Sequence, residues 1–250
     1  MYTAFASVYD RLMRDVDYQT WAAHYAYLLS GAGIKNGRIC ECACGTGSLT
    51  LPLSTMGYTL TGVDLSNEML GIASSKAKEA GLTIPFVRQD MTKLTLHRRQ
   101  NAVLSTCDGV NYLITSRQLS SFFSAAYKAL LPGGVLLFDV STPFKLSGTL
   151  GNNTLGLQDP DISYIWQNHY NTHTHVVHMN ISFFVRNADS SYDRFEEEQL
   201  QRAWTKEELT ASLLECGYEK IRFWGNTLRR APKPKDERWH IRAIKPKEAL

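Results

Sequence analysis

Through the first 140 residues, apolar positions alternate between two rhythms. Short runs of strand character recur at 37–43 (GRICECA), 58–64 (YTLTGVD), 83–88 (TIPFVR), 101–107 (NAVLSTC) and 134–140 (GVLLFDV). Between them lie segments with helical spacing. "NEMLGIASSKAKEAGL" has Ser66 as its N-cap and Gly81 as its stop, and "SRQLSSFFSAAYKALLPGG" ends at Pro132-Gly133-Gly134. Strands and helices in this order predict βαβ units and a parallel sheet. Upstream, Trp21, Tyr25 and Leu28 share one face of "DYQTWAAHYAYLL". Residues 1–35 are therefore expected to form a helical cap over the sheet or its site.

The rhythm changes near residue 145. "KLSGTLGNNTLGLQDPD" reads as a loop, and three β runs follow at 162–170, 175–186 and 192–203, separated by turn residues. The span 145–203 is expected to be an antiparallel insertion within a single domain covering 1–250. "TKEELTASLLECG" then supplies a helix with a Thr205–Glu208 capping box and a stop at Gly217. "YEKIRFWGN" and "RWHIRAIKP" are the last two strand candidates.

Composition narrows the class. The chain has 250 residues, 44% of them hydrophobic and 20% charged, which suits one folded domain. Its net charge of +3 is too mild to call for nucleic acid. No apolar stretch approaches the roughly 20 residues of a bilayer span, and the first residues do not read as a secretory signal. A cytoplasmic protein without membrane attachment is the expectation. Three of the five cysteines, Cys40, Cys42 and Cys44, sit at alternate positions, too close for a disulfide framework. A reducing compartment is the simpler reading.

The chemistry concentrates where the predicted strands end. A strand, a Gly45-x-Gly47 loop, a helix and then Asp64 closing the next strand form a nucleotide-site layout. Asp64 follows Gly47 by 17 residues and can take both hydroxyls of a ribose. Thr50 stands where a dinucleotide fingerprint needs its third small residue, and the loop has no lysine for a phosphate. Glu41, just before the glycines, would repel a pyrophosphate. A nicotinamide dinucleotide is thus disfavoured, and a ligand with cationic groups and no phosphate fits better.

"ECACGTG" reads as E-x-A-x-G-x-G, and the chain opens with "FASVYDRLM". With these motifs it resembles the small-molecule branch of the Rossmann-like, class I S-adenosylmethionine (SAM)-dependent methyltransferases. The resemblance spans nearly the whole chain. It implies an α/β fold with a seven-stranded, mostly parallel sheet whose last strand is antiparallel, helices on both faces, and SAM as cofactor. It further implies that Glu41 holds the glycine loop with Gly47, and that Ala43 and Gly45 present backbone to the methionine part. Asp64 would bind the ribose, Leu65 with Met69 would cover the adenine side, and Asp90 beside Met91 would accept from the adenine amino group. Cys107 and Asp108 would lie under the cofactor, and Tyr9 and Trp21 would close the methionine side. Tyr9, Asp108, Asn111 and Tyr112 are the catalytic candidates near the methyl group. Where family members often open the fourth strand with an aromatic–Asp pair, this chain has Gln100-Asn101. No NPPY-like motif follows that strand, which disfavours base-amino methylation.

The expected reaction moves a methyl group from SAM to an N, O or C nucleophile of a small molecule. No general base is assigned. The 145–203 insertion would serve as substrate lid or dimer surface, so a homodimer stays open. An RNA-modifying methyltransferase, or a SAM-binding module without small-molecule turnover, is the alternative, motivated by Arg229, Arg230, Lys233 and Lys235 in a locally basic stretch. His169, His173, His175 and His178 are read as a solvated hairpin rather than a zinc site, since no acid or cysteine completes a ligand set nearby; no metal is expected. "RFEEEQ" at 194–199 could present a carboxylate to an amine substrate, but Glu196, Glu197 and Glu198 are read as an exposed strand face, although alternation sends Glu197 to the opposite side from its neighbours.

Overall fold

The computed structural model describes residues 3–227 and 229–247. Two helices, α1 (Thr3–Leu12) and α2 (Tyr18–Ser30), precede β1 (Gly37–Cys42). There follow α3 (Thr50–Thr55), β2 (Tyr58–Asp64), α4 (Asn67–Glu79), β3 (Phe86–Arg88), β4 (Gln100–Ser105), α5 (Ser116–Ala129) and β5 (Leu130–Ser141). The remaining elements are β6 (Thr154–Leu157), β7 (Ile162–Asn171), β8 (Val176–Arg186), β9 (Tyr192–Arg202), α6 (Lys206–Glu215), β10 (Glu219–Gly225) and β11 (Arg238–Ile244).

Seven strands form one sheet in the order β10-β11-β5-β4-β1-β2-β3. The pairs among β3, β2, β1, β4 and β5 are parallel, and β11 runs antiparallel to both β5 and β10. The strand order reverses between β1 and β4, which opens a crevice outside their carboxyl ends. Both faces of the sheet are covered, as a parallel sheet requires. Alternation along β1 sends Cys40 and Cys42 into a core shared with α5 and α6, and Ile39 into a core shared with α2 and α3. Cys40 and Cys42 therefore act as small core residues; all five cysteines are free.

Local signals set the element ends. Ser66 accepts from the Met69 N–H at the start of α4, and Thr205 and Glu208 form a reciprocal capping box at α6. Gly81 and Gly217 take positive φ just past their helices. β3 is shorter than its apolar run predicts, because Pro85 has no N–H to give the ladder. Helix α5 ends at Ala129 rather than running to the Pro132-Gly133-Gly134 stop, and β5 begins at Leu130, with the irregular register there absorbed by Gly133 at φ +77°.

The insertion is a second, four-stranded antiparallel sheet in the order β6-β7-β8-β9. β6 lies inside the stretch expected as loop. Its sequence, TLGL, is too short and too rich in glycine neighbours to show a rhythm of its own. One face of this sheet packs on α1 and α4 through Ile162, Ile181 and Phe183 against Ala6, Val8 and Met69. Among the described residues, no helix is long and apolar enough to cross a membrane.

Candidate active site

A cavity of about 370 Å³ opens at the carboxyl ends of β1, β2 and β4 and is roofed by α1 and the start of α2. Three non-glycine residues at its strand ends have positive φ: Ala43 (54°), Cys107 (53°) and Asp108 (67°). Gly45 is also left-handed at φ +53°, and a Cβ there would meet nothing within 4 Å, so its backbone faces open space. Such conformations persist only where surrounding bonds hold them.

Two carboxylates hold the loop after β1. Glu41 is buried; its Oε2 accepts from the Thr50 hydroxyl, and its Oε1 accepts from Thr106 at 2.8 Å. It thereby ties β1 to α3 and to the end of β4. Burial raises its pKa to about 7, although both hydroxyl bonds pull the other way. Asp64 accepts from the Gly45 N–H at 2.8 Å through Oδ2 and from the Ser66 N–H at 3.0 Å through Oδ1. Each oxygen keeps a further lone pair for a ligand hydroxyl. Asp90 is anchored through Oδ1 alone, which accepts from the Thr92 N–H and hydroxyl, both at 2.8 Å.

Ala43, Gly45, Leu65, Met69, Met91, Cys107 and Tyr112 line the cavity with these acids, and Leu65 is 60% exposed on its rim. Tyr9 lines it from α1. Four predicted residues lie elsewhere. Gly47 is a packing position, where a Cβ would meet Ala73 and Leu51 at 3.1 Å. Trp21 does not line the cavity; its ring stacks under the Arg238 guanidinium at 5.0 Å and meets His240 edge-on. Its neighbour Tyr18 lines the cavity instead, one helical turn nearer the N-terminal end of α2, a place that an aromatic-face argument does not distinguish. Asn111 is fully buried, with its amide donating to Ser141 O and Arg202 O and accepting from Ser141 N. Its side chain thus joins β5 to β9 rather than facing a substrate.

Asp108 is the fourth. Its carboxylate sits one layer behind the cavity, paired with Arg238 from β11 at 2.5 Å and accepting from Ser141 at 2.8 Å. Burial alone would raise its pKa, but Arg238 and Lys145 outweigh that and hold it at about 2. Arg238 also pairs with Asp139 on β5, which in turn accepts from the N–H groups of Cys107 (2.9 Å) and Asp108 (3.0 Å). The charged cluster holds the left-handed turn; it does not present a base. Burial keeps the hydroxyls of Tyr9 and Tyr18 and the thiol of Cys107 protonated far above neutral pH.

Among the described residues, the lining carries three carboxylates and neither lysine nor arginine. That donor set fits SAM, with its sulfonium, ammonium and ribose hydroxyls, and opposes a dinucleotide's phosphates. Elsewhere, the basic C-terminal stretch is partly spent on the fold: Arg230 pairs with Asp236 at 2.5 Å, and Arg229 stacks on Tyr27 at 3.7 Å. Among the described residues, no three His, Cys, Asp or Glu side chains converge as a metal site.

Comparison with known proteins agrees with this geometry. The sequence profile of a methyltransferase domain matches residues 39–134. The chain is 38% identical over 99% of its length to YqeM of Bacillus subtilis (strain 168), whose name proposes a methyltransferase, and covers 98% of that protein. It superposes with a TM-score of 0.89 and 32% identity on a SAM-dependent methyltransferase from Clostridium acetobutylicum ATCC 824, covering 98% of this chain and 99% of that one. It also shares its fold, with a TM-score of 0.75, 21% identity and 93% coverage of each chain, with SAM-bound CalS10, an amino pentose methyltransferase from Micromonospora echinaspora. The chain belongs to the class I SAM-dependent methyltransferases.

Proposed function

We propose that this methyltransferase acts on a small-molecule acceptor held between the cavity and the insertion sheet. The observation that carries this reading is a hydrogen bond of 2.8 Å from the Tyr112 hydroxyl, on the cavity wall, to Gln199 Oε1 on β9. It seats the insertion over the reacting end of the site. The acceptor space is then the region between the cavity mouth and the insertion, suited to a small molecule. The amino pentose named for CalS10 supports the same class.

SAM, when bound, supplies a methyl group already activated by its sulfonium. The residues of the chain do the rest by placement. Asp64 would hold the ribose hydroxyls, Asp90 would accept from the adenine amino group through Oδ2, and Leu65 and Met91 would lie beside the adenine. Glu41, Ala43 and Gly45 would hold the methionine part. Tyr9, Tyr18 and Tyr112, which line the cavity, would wall the methyl end and exclude water. With their hydroxyls protonated, Tyr9 and Tyr18 can donate hydrogen bonds but cannot serve as bases. Alignment of this kind is worth effective molarities of roughly 10⁵ M or more.

The test is release of S-adenosylhomocysteine (SAH) from SAM with a panel of small amines, phenols and acids, run beside tRNA and rRNA. Turnover on a panel member, and none on RNA, is expected. Salt-sensitive RNA retention with methyl transfer to RNA alone would overturn the reading.

A further inference from the structure

One carboxylate near the cavity mouth has an oxygen with no hydrogen-bond partner among the described residues, and no role so far. Along β9, Glu197 shares the inner face with Phe195 and Gln199, while Glu196 and Glu198 point outward into solvent. Glu197 is 6% exposed, and its Oε1 is buried with no hydrogen-bond partner. The sequence reading of this triple as an exposed face holds for Glu196 and Glu198 and fails for Glu197. Burial is the largest influence on the Glu197 pKa and raises it.

Two more orphans share its surroundings. The sheet register sets Trp166, Ile181 and Glu197 in one cross-strand row, and Asn168, Met179 and Gln199 in the next row on the same face. Trp166 Nε1 and Asn168 Oδ1 are both buried without partners. The patch thus holds one anionic acceptor, one neutral acceptor and one N–H donor, each without a hydrogen-bond partner among the described residues. Leaving such groups dry is costly, and a native protein rarely keeps three together without a ligand. The patch adjoins the cavity at two places. Gln199 bonds to Tyr112, and Phe195 packs with Tyr9 on a shared apolar cluster; Tyr112 and Tyr9 both line the cavity.

We propose that this inner face is the acceptor-binding site, and that it takes a basic amine with a neighbouring hydroxyl, the amine on Glu197 and the hydroxyl shared between Trp166 Nε1 and Asn168 Oδ1. Glu197 is a specificity-determining binding residue. This rests on the small-molecule reading above and narrows it to amino alcohols, a class that includes amino sugars. An alcohol or acid in the same place would bring no positive charge to the carboxylate.

The test uses the full-length protein saturated with SAH and titrated calorimetrically with trans-2-aminocyclohexanol and with trans-1,2-cyclohexanediol. The two probes differ only in amine against hydroxyl. The amine should bind at least roughly tenfold tighter, the scale of one charge-assisted bond. Glu197→Gln should erase that preference while SAH affinity stays unchanged. Its melting temperature should not fall, because the change removes a buried unpaired charge; a purely structural Glu197 would predict a fall. Equal binding of the probes to the wild type, including no binding of either, overturns the proposal, as does full amine affinity in the variant. If Glu197→Gln does not fold, the wild-type preference decides alone. Methyl transfer from SAM only to another small-molecule class would sink the amine assignment and leave the small-molecule reading standing, whereas transfer to RNA alone would remove both.

Discussion

Arg238, on the last strand, and Asp108, at the left-handed turn after β4, form an ion pair of 2.5 Å across 130 residues of chain. The same guanidinium nitrogen reaches Asp139, so one cation serves two carboxylates behind the cofactor cavity. Asp139 spends its oxygens on the Cys107 and Asp108 N–H groups and on the Tyr25 hydroxyl. Helix α2, β4, β5 and β11 therefore meet at a single charge.

Removing that charge should be severe. Arg238→Met leaves two buried carboxylates facing each other, with Lys145 at 4.0 Å from Asp108 as the nearest relief. Breaking a buried pair in this way costs about 3–5 kcal/mol. The urea midpoint of Arg238→Met should fall accordingly, and Arg238→Met with Asp108→Asn should recover part of the loss. Equal destabilisation in the single and double variants would mean that packing of the arginine stem, rather than charge, is at stake.

This cluster shows where sequence reasoning stops. The succession of strands and helices in a mostly parallel sheet, the caps at Ser66 and Thr205, and the acids Glu41, Asp64 and Asp90 at the cavity were legible because each signal is local, or sits at a strand end fixed by the βαβ rhythm. The partner of Asp108 was not, since nothing periodic links residue 108 to residue 238. Trp21 misled for a related reason. Helical spacing puts it on the face of Tyr25 and Leu28, which are buried, but cannot say whether its ring turns to the cofactor cavity or to an arginine. Glu197 was legible by alternation, yet its burial depends on what the insertion packs against. The departure at Gln100-Asn101 proves local: Asn101 Oδ1 accepts from the Arg38 N–H at 2.9 Å, at the end of the sheet far from the site.

Asp64 should control cofactor affinity. Its two oxygens are fixed by the Gly45 and Ser66 N–H groups, and it is placed for two ligand hydroxyls. Each charge-assisted bond is worth about 1.5–3 kcal/mol, so Asp64→Ala should weaken SAM and SAH by about 100-fold or more. Calorimetric titration of both ligands checks this. A loss under tenfold would mean that the ribose is held elsewhere.

Helix α1 is latched to the glycine loop. Asp10 accepts from Thr46 at 2.6 Å and from Lys76 at 2.7 Å, and Lys76 also donates to Ser48 at 2.8 Å. These bonds hold Tyr9 over the cavity. Asp10→Ala and Lys76→Met should each speed SAM dissociation and expose α1 to protease, with a small effect on global melting because both side chains are partly solvated. The double variant should be less than additive, as for residues of one network. Strict additivity would show that the two act on different steps.

Glu41 gives the site a pH dependence of definite sign. Its folded pKa of about 7 lies above the ordinary carboxylate value, so the folded protein binds more protons than the unfolded chain between about pH 4.5 and 7. Stability should therefore decline as pH rises through that window, by at most about 1.4 kcal/mol per unit from this group. Ligand binding runs the other way. A cationic ligand beside Glu41 favours the carboxylate, so SAM should bind more tightly as pH rises from 6 to 8, with proton release at the lower end. SAH, lacking the sulfonium, should show a weaker trend. In Glu41→Gln both the stability slope and the difference between SAM and SAH should flatten. Calorimetry of each ligand at pH 6, 7 and 8 in buffers of different ionisation enthalpy measures the affinity and the proton count together. PH-independent SAM affinity in the wild type, or an unchanged slope in Glu41→Gln, would show that the carboxyl stays neutral in the complex and serves only to bridge Thr50 and Thr106.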